Sequence, residues 1–172
     1  MLVDHSRYFE SALWPHLRGA YNLARWLVGN REDAEDVVQE SFTKAFQAVD
    51  QFRGGDARAW LLTIVRNTAL NLIRRRPKLE MEWNENMPEP ADRSPGPELE
   101  LVQQSRRNRV RSAIARLPQE FREALILREI EGLAYKEIAA VLSIPTGTVM
   151  SRLSRARNLL LQELKPEKGE CQ

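Results

Sequence analysis

The sequence predicts an all-α protein: two small helical domains joined by a flexible acidic linker, the C-terminal one a helix-turn-helix. Apolar residues recur at spacings of three and four on both sides of a central break. No segment alternates with the period of two that a strand requires, and the break itself, residues 78–105, is rich in proline and acid. A chain of 172 residues accommodates one ordinary domain or two small ones.

The N-terminal unit, residues 1–77, shows three helical stretches. Leu17, Ala20, Tyr21, Ala24, Leu27 and Val28 share one helix face, and Gly29-Asn30 ends it. Asn30 followed three residues later by Asp33 reads as an N-cap with an acidic first turn. Val37, Val38, Ser41, Phe42, Ala45, Phe46 and Val49 then mark a second apolar face, with acids on the solvent side. Gln51-Phe-Arg-Gly-Gly-Asp56 is a loop, because adjacent glycines are costly in a helix and permit positive φ. A third helix is expected over residues 57–76, with Leu61, Ile64, Val65, Thr68 and Leu72 inward, and Pro77 ends it.

Four prolines between Glu80 and Pro97, among acids, mark the linker. The second unit, residues 106–165, carries Val110, Ile114 and Leu117 on one face, then a helix opened by Pro118 that bears Leu125, Ile126 and Ile130 and closes at Gly132. Two further helices are expected, Tyr135 to Leu142 and Thr146 to Leu164, separated by Ser143-Ile-Pro145. Ile138, Ala139 and Leu142 face inward from the first, and Val149, Leu153 and Ala156 from the second, the small Ala139 permitting a close crossing. Residues 166–172 are a tail.

Composition bounds the function. With 42% hydrophobic and 29% charged residues and a mean hydropathy of -0.49, the chain reads as soluble. No run approaches the roughly 18 apolar residues of a membrane span, so membrane insertion is not expected and a cytoplasmic location is. The single cysteine, Cys171, rules out an internal disulfide and a cysteine-based zinc cluster. Net charge is only +2, but it is sorted along the chain. Residues 57–79 hold six basic side chains and no acid, residues 80–105 seven acids and one Arg, and residues 106–165 twelve basic side chains against six acids.

Three surfaces carry candidate chemistry. On the last helix, Thr148, Met150, Ser151, Arg152 and Arg155 point away from the apolar stripe; short donors near a helix N-terminus suit base edges and arginines suit phosphates. An ordinary αα-hairpin with a basic face would look similar. On the helix from Ala57, Thr63, Arg66, Asn67, Asn71 and Arg74 share a side, and Arg75, Arg76 and Lys78 extend the charge. Asn amides pair with exposed bases and guanidinium groups hold phosphates. Trp60 reads first as a core anchor and second as a stacking platform, while Arg74 to Arg76 also complement the helix dipole. The acidic face of the second helix, Glu32, Asp33, Glu35, Asp36 and Glu40, lacks a calcium-loop pattern. Asp36, Gln39 and Glu40 read as a docking surface for a basic protein. No Ser/His/Asp arrangement, phosphate-cradling loop or histidine cluster is visible, so neither catalysis nor a cofactor or metal is expected.

Taken together, Gly29-Asn-Arg-Glu-Asp-Ala-Glu-Asp-Val-Val-Gln-Glu40, Phe52-Arg-Gly54, Trp60-Leu-Leu-Thr-Ile-Val-Arg-Asn67, Leu117-Pro-Gln-Glu-Phe-Arg122, Tyr135-Lys-Glu-Ile-Ala139 and Gly147-Thr-Val-Met-Ser-Arg-Leu153 resemble bacterial extracytoplasmic-function (ECF) sigma factors. The likeness runs from about residue 8 to residue 164. It implies that the first domain is region 2, which binds the clamp of core RNA polymerase and melts the minus-ten element, and the second region 4, which reads the minus-thirty-five element. By position, Asp36, Gln39 and Glu40 would contact the clamp. Phe52, Arg53, Gly54, Asp56, Trp60, Arg66, Asn67, Asn71 and Arg74 would serve the minus-ten element, and Thr148, Met150, Ser151, Arg152 and Arg155 the minus-thirty-five element. Core polymerase, promoter DNA and an anti-sigma factor are the implied partners, with a monomer outside those complexes.

Three positions depart from the family pattern: Ala134 where a capping Ser is usual, Ser143 where Gly is frequent, and Met150 where a basic residue is common. A stand-alone helix-turn-helix regulator is the competing reading from residues alone. It would require a self-complementary dimer surface.

Overall fold

A computed structural model describes residues 5–76 and 97–165. The expected tail with Cys171, Pro77 and residues 78–96 of the expected linker lie outside the described residues. The first domain comprises α1 (His5–Ala12), a 3-10 turn (Trp14–His16), α2 (Leu17–Val28), α3 (Arg31–Gln47), a second 3-10 turn (Val49–Gln51) and α4 (Ala57–Arg75). The second comprises α5 (Pro97–Arg116), α6 (Gln119–Leu125), which runs into a π-helical turn (Ile126–Ile130), α7 (Tyr135–Leu142) and α8 (Thr146–Leu164). Strands are absent among the described residues.

Local chemistry sets the boundaries of the first domain. Gly29 at φ 84° closes α2 with its N–H on the Arg25 carbonyl. The Asn30 side chain accepts the Asp33 N–H at 2.9 Å, the expected cap of α3. Asp33 does more than serve the dipole: it is buried, and Arg76 donates to both of its carboxylate oxygens, closing the end of α4 onto the start of α3. Arg76 is therefore a structural tie rather than a solvated helix end. Gly54 and Gly55, at φ 90° and 109°, give the loop the backbone that a side chain disfavours. Asp56 then caps α4 by accepting from Arg58 and Ala59. Leu23, Leu27, Val37, Phe42, Leu61 and Val65 fill the core between α2, α3 and α4.

Three expectations for the second domain need correction. The helix begins at Pro97, inside the segment read as linker; a proline at the first helical position loses no intrahelical bond, so it starts the helix instead of breaking it. Val110, expected inward, is 40% exposed. Ile130, also expected inward, is 42% exposed because the π turn adds a residue to the register. The Glu131 N–H reaches the Ile126 carbonyl, five residues back, so Glu131 rather than Ile130 stacks over the buried Ile126.

The two domains are in contact. α4 lies against α7, and α2 against α6 and the π turn. One continuous apolar cluster joins Leu61 and Val65 of the first domain to Leu127, Ile138, Val149 and Leu153 of the second. A smaller cluster of Leu117, Leu125 and Ala156 holds α5, α6 and α8 together.

Candidate functional site

The acidic face of α3 is open. Asp36, Gln39 and Glu40 are all exposed and lie on one stripe at helical spacing. Glu40 pairs with Lys44 at 2.6 Å, an exposed pair of small energetic weight. Gln39 also borders an apolar groove of about 580 Å³ between α1, α2 and α3, walled by Phe9, Trp14, Tyr21, Val38 and Phe42. Trp14 is 58% exposed there, and its ring meets Phe42 edge-on at 6.2 Å. Sequence periodicity missed the groove, because its wall depends on α1, whose apolar residues are too few to signal a face.

Around the glycine loop, Phe52 packs on Trp60 with ring centroids 5.0 Å apart and planes tilted by 38°. Trp60 is partly buried against the core, as the anchor reading expected, with Phe52 covering it on the loop side. Arg53, Gly54 and Asp56 are exposed around this aromatic pair. Burial pushes the Asp56 carboxyl up, but a proton shared with the Glu137 carboxyl group, hydrogen bonds from the Ala59 and Arg58 amides and nearby His16 outweigh it and hold it below the ordinary carboxylate value. Farther along α4, Asn67, Asn71 and Arg74 are exposed on one side. Arg66 and Thr63 are not on that open surface. Thr63 is half-buried and donates to the Ala59 carbonyl at 2.8 Å, and Arg66 pairs with Glu123 of the second domain at 2.9 Å.

The helix-turn-helix of α7 and α8 has a weak start and a strained turn. Ala134 offers no side-chain acceptor at the N-cap, although Glu137 accepts the Ala134 N–H, so half of a capping box is present. Ser143 sits at φ 55°, the left-handed conformation in which glycine is easier. Arg128 lies 5.1 Å over the Tyr135 ring and donates to the Leu133 carbonyl, bracing the approach to α7. Met150, Ser151 and Arg155 are exposed on α8, and Thr148 is half-buried. Arg152 departs from the expected outward set: its side chain is 21% exposed and lies 3.6 Å from the Glu120 carboxylate on α6. It is three residues from Val149 and four from Ala156, both buried, so helix geometry turns it toward the bundle.

The motif ending in Arg122 has a structural reason. That guanidinium is 6% exposed and donates to the Ala115 carbonyl at 2.8 Å, fastening the turn between α5 and α6. Burial lowers its pKa, and Glu123 opposes the shift.

The families described as "Sigma-70 region 2" and "Sigma-70, region 4" match residues 15–78 and 107–160. The chain is 39% identical over 160 residues to the ECF RNA polymerase sigma factor SigE of Mycolicibacterium smegmatis, covering 90% of this chain and 61% of that relative's length. It is 39% identical over 143 residues to the ECF RNA polymerase sigma-E factor of Salmonella typhimurium, covering 78% of this chain and 75% of that relative. Among solved structures, the sigma factor RpoE in complex with the anti-sigma factor NepR, from Bartonella quintana, matches with a TM-score of 0.70 at 30% identity, over 93% of this chain and 98% of that one. CnrH in complex with the cytosolic domain of CnrY matches with a TM-score of 0.65 at 28% identity, over 91% and 87%. With both regions present in order on this helical framework, the chain belongs to the extracytoplasmic-function sigma factors of RNA polymerase.

Proposed function

We propose that this chain docks on the clamp of core RNA polymerase through Asp36, Gln39 and Glu40, and directs it to promoters by reading two DNA elements. The observation that carries this reading is the coexistence on one chain of an open acidic stripe on α3, an aromatic-lined glycine loop beside the exposed amides of α4, and a helix-turn-helix with exposed Met150, Ser151 and Arg155. Residues 1–77 take the minus-ten role and residues 106–165 the minus-thirty-five role. The acidic stretch that precedes α5 follows an RNA path in the polymerase, where a run of acids imitates the nucleic-acid charge.

In the first domain, the loop around Phe52 receives a base flipped from the non-template strand. Unstacking costs a few kcal/mol, so a pocket that rewards only the right base confers selectivity. Phe52 and Trp60 shape the pocket wall, Arg53, Gly54 and Asp56 its rim, and Asn67 and Asn71 pair with neighbouring bases while Arg74 holds a phosphate; Arg66 is engaged by Glu123. In the second, Thr148, Met150 and Ser151 contact base edges and Arg155 a phosphate, while Arg152, turned toward Glu120, sits at the edge of that face. Joining two weak readers raises effective concentration and enforces element spacing. The relative seen with the anti-sigma factor NepR makes an anti-sigma partner the expected regulator. The factor is a cytoplasmic monomer outside its complexes and needs no cofactor. No helix among the described residues is long and apolar enough to cross a membrane.

Competition for core polymerase tests the docking face. Glu40→Lys should weaken core binding by about tenfold or more, since a reversed charge at a charge-matched interface is repulsive. Unchanged affinity for Glu40→Lys and Asp36→Lys alike would remove α3 from the interface.

A further inference from the structure

Two arginines of α8 are held by carboxylates from outside that helix. Arg152 lies 3.6 Å from the Glu120 carboxylate at the start of α6. On the other side, Arg157 Nη2 donates to Glu129 Oε1 of the π turn at 2.8 Å, and a further bond to the Tyr135 side chain steadies it. Arg128 covers the same tyrosine, its guanidinium 5.1 Å over the ring. The Glu120 and Glu129 side chains are both exposed, and pairs this open add little to stability, so the fold stands without them.

Their placement on the reading helix gives them another use. Met150, Ser151 and Arg155 form the exposed face of α8. Arg152 follows Thr148 by four residues and Arg157 follows Met150 by seven, so helical spacing sets the two arginines on opposite edges of that face. A helix lying in the major groove has a phosphate backbone along each edge, since the groove is about 12 Å wide and a helix with its side chains about 10–12 Å across. The edge arginines are therefore the ones placed for phosphates of the two strands. Each already has a carboxylate partner, and a guanidinium paired with a carboxylate has its donors turned from phosphate. Phosphate contacts carry no sequence information and supply nearly all non-specific affinity.

We infer that Glu120 and Glu129 restrain Arg152 and Arg157 at the edges of the recognition helix, keeping them off the DNA backbone and holding down the sequence-independent part of the affinity. This rests on the reading of α8 as the DNA-facing helix. The two acids touch no base; they are positioning residues that act through the arginines. Low affinity for arbitrary duplex matters because competing sites vastly outnumber specific ones, and it leaves the base contacts of Met150 and Ser151 to decide where the chain settles.

The test measures binding of the full chain to a labelled 40-base-pair duplex of random sequence across a salt series. Glu120→Gln and Glu129→Gln keep side-chain shape and remove the charge. Each should tighten binding about threefold near 0.1 M salt and steepen the salt slope by about 0.9; together they should tighten it about tenfold and steepen the slope by about 1.8. Glu10→Gln, at an exposed acid of α1 in the other domain, changes the net charge by the same unit and should leave affinity and slope at the parent values. In an Arg157→Gln background Glu129→Gln should have no effect, and Glu120→Gln none in an Arg152→Gln background, because no restrained cation is left to release. Gains that Glu10→Gln reproduces would overturn the inference, as would unchanged affinity and slope in both acid variants. Gains that survive loss of the paired arginine would mark simple repulsion between acid and phosphate and overturn it too. Arg155→Ala separates the restraint from the reading beneath it. If that variant weakens binding while the acid variants match the parent, the restraint alone fails; if it also leaves binding unchanged, α8 does not face DNA and both fail.

Discussion

Replacing Ala134 with Ser is a demanding test of the local account, because the backbone is already prepared for it. Ala134 stands at φ -69° and ψ 156°, the extended conformation of an N-cap, and the Glu137 carboxylate already accepts its N–H. A Ser hydroxyl there needs no rearrangement to accept the Glu137 amide, which completes the reciprocal pair. The position is exposed, so the hydroxyl costs little desolvation. The gain should therefore be about 1 kcal/mol, the usual difference between Ser and Ala at an N-cap. In a chain of this size that corresponds to roughly 2–4 °C in Tm. Local opening of α7 should become about fivefold rarer, read as slower exchange of the Lys136 and Glu137 amides. An unchanged Tm with unchanged exchange at both amides would refute the capping argument.

Other consequences follow from single positions. Ser143→Gly should relieve the left-handed strain in the turn between α7 and α8 and add about 1 kcal/mol in urea unfolding, with the fold unchanged. Arg155→Ala should weaken DNA binding evenly across sequences and lower the salt slope by about one, whereas changes at Met150 or Ser151 should shift base preference within the upstream element; competition against a promoter library distinguishes the two. Because the Asp56 carboxyl is held below its ordinary value, its contribution to stability is complete above the ordinary carboxylate range and is lost as pH falls through the lowered value. The Arg58 and Ala59 amides it caps should accordingly lose exchange protection below about pH 4.

Where a residue type had one local job, the sequence was a good guide. Asn30 as a cap, the paired glycines at 54 and 55, and the apolar stripe of Leu61, Val65 and Thr68 all depend on contacts within a few residues or on helical period. The start of α5 was hidden because a proline at the first helical position and a proline in a linker look alike in one dimension. Ile130 and Glu131 exchanged faces through a π turn, which no 3.6-residue pattern reveals. The two pairs that bind the domains, Arg58 to Glu131 and Arg66 to Glu123, are 73 and 57 residues apart in sequence, and each partner alone reads as an ordinary surface charge. Arg152 carried a signal that was legible: its spacing from Val149 and Ala156 already assigned it to the edge of the buried face.

The central claim, that two readers on one chain make core polymerase promoter-specific, is tested most directly by run-off transcription with purified core enzyme on a pool of bacterial genomic fragments. Transcripts should start at a small set of fragments sharing an upstream and a downstream element, only when this chain is present. Asn67→Ala with Asn71→Ala should impair melting of the downstream element, and Ser151→Ala should impair use of the upstream one. No initiation from any fragment, with the chain binding duplex DNA specifically in the absence of polymerase, would contradict the account.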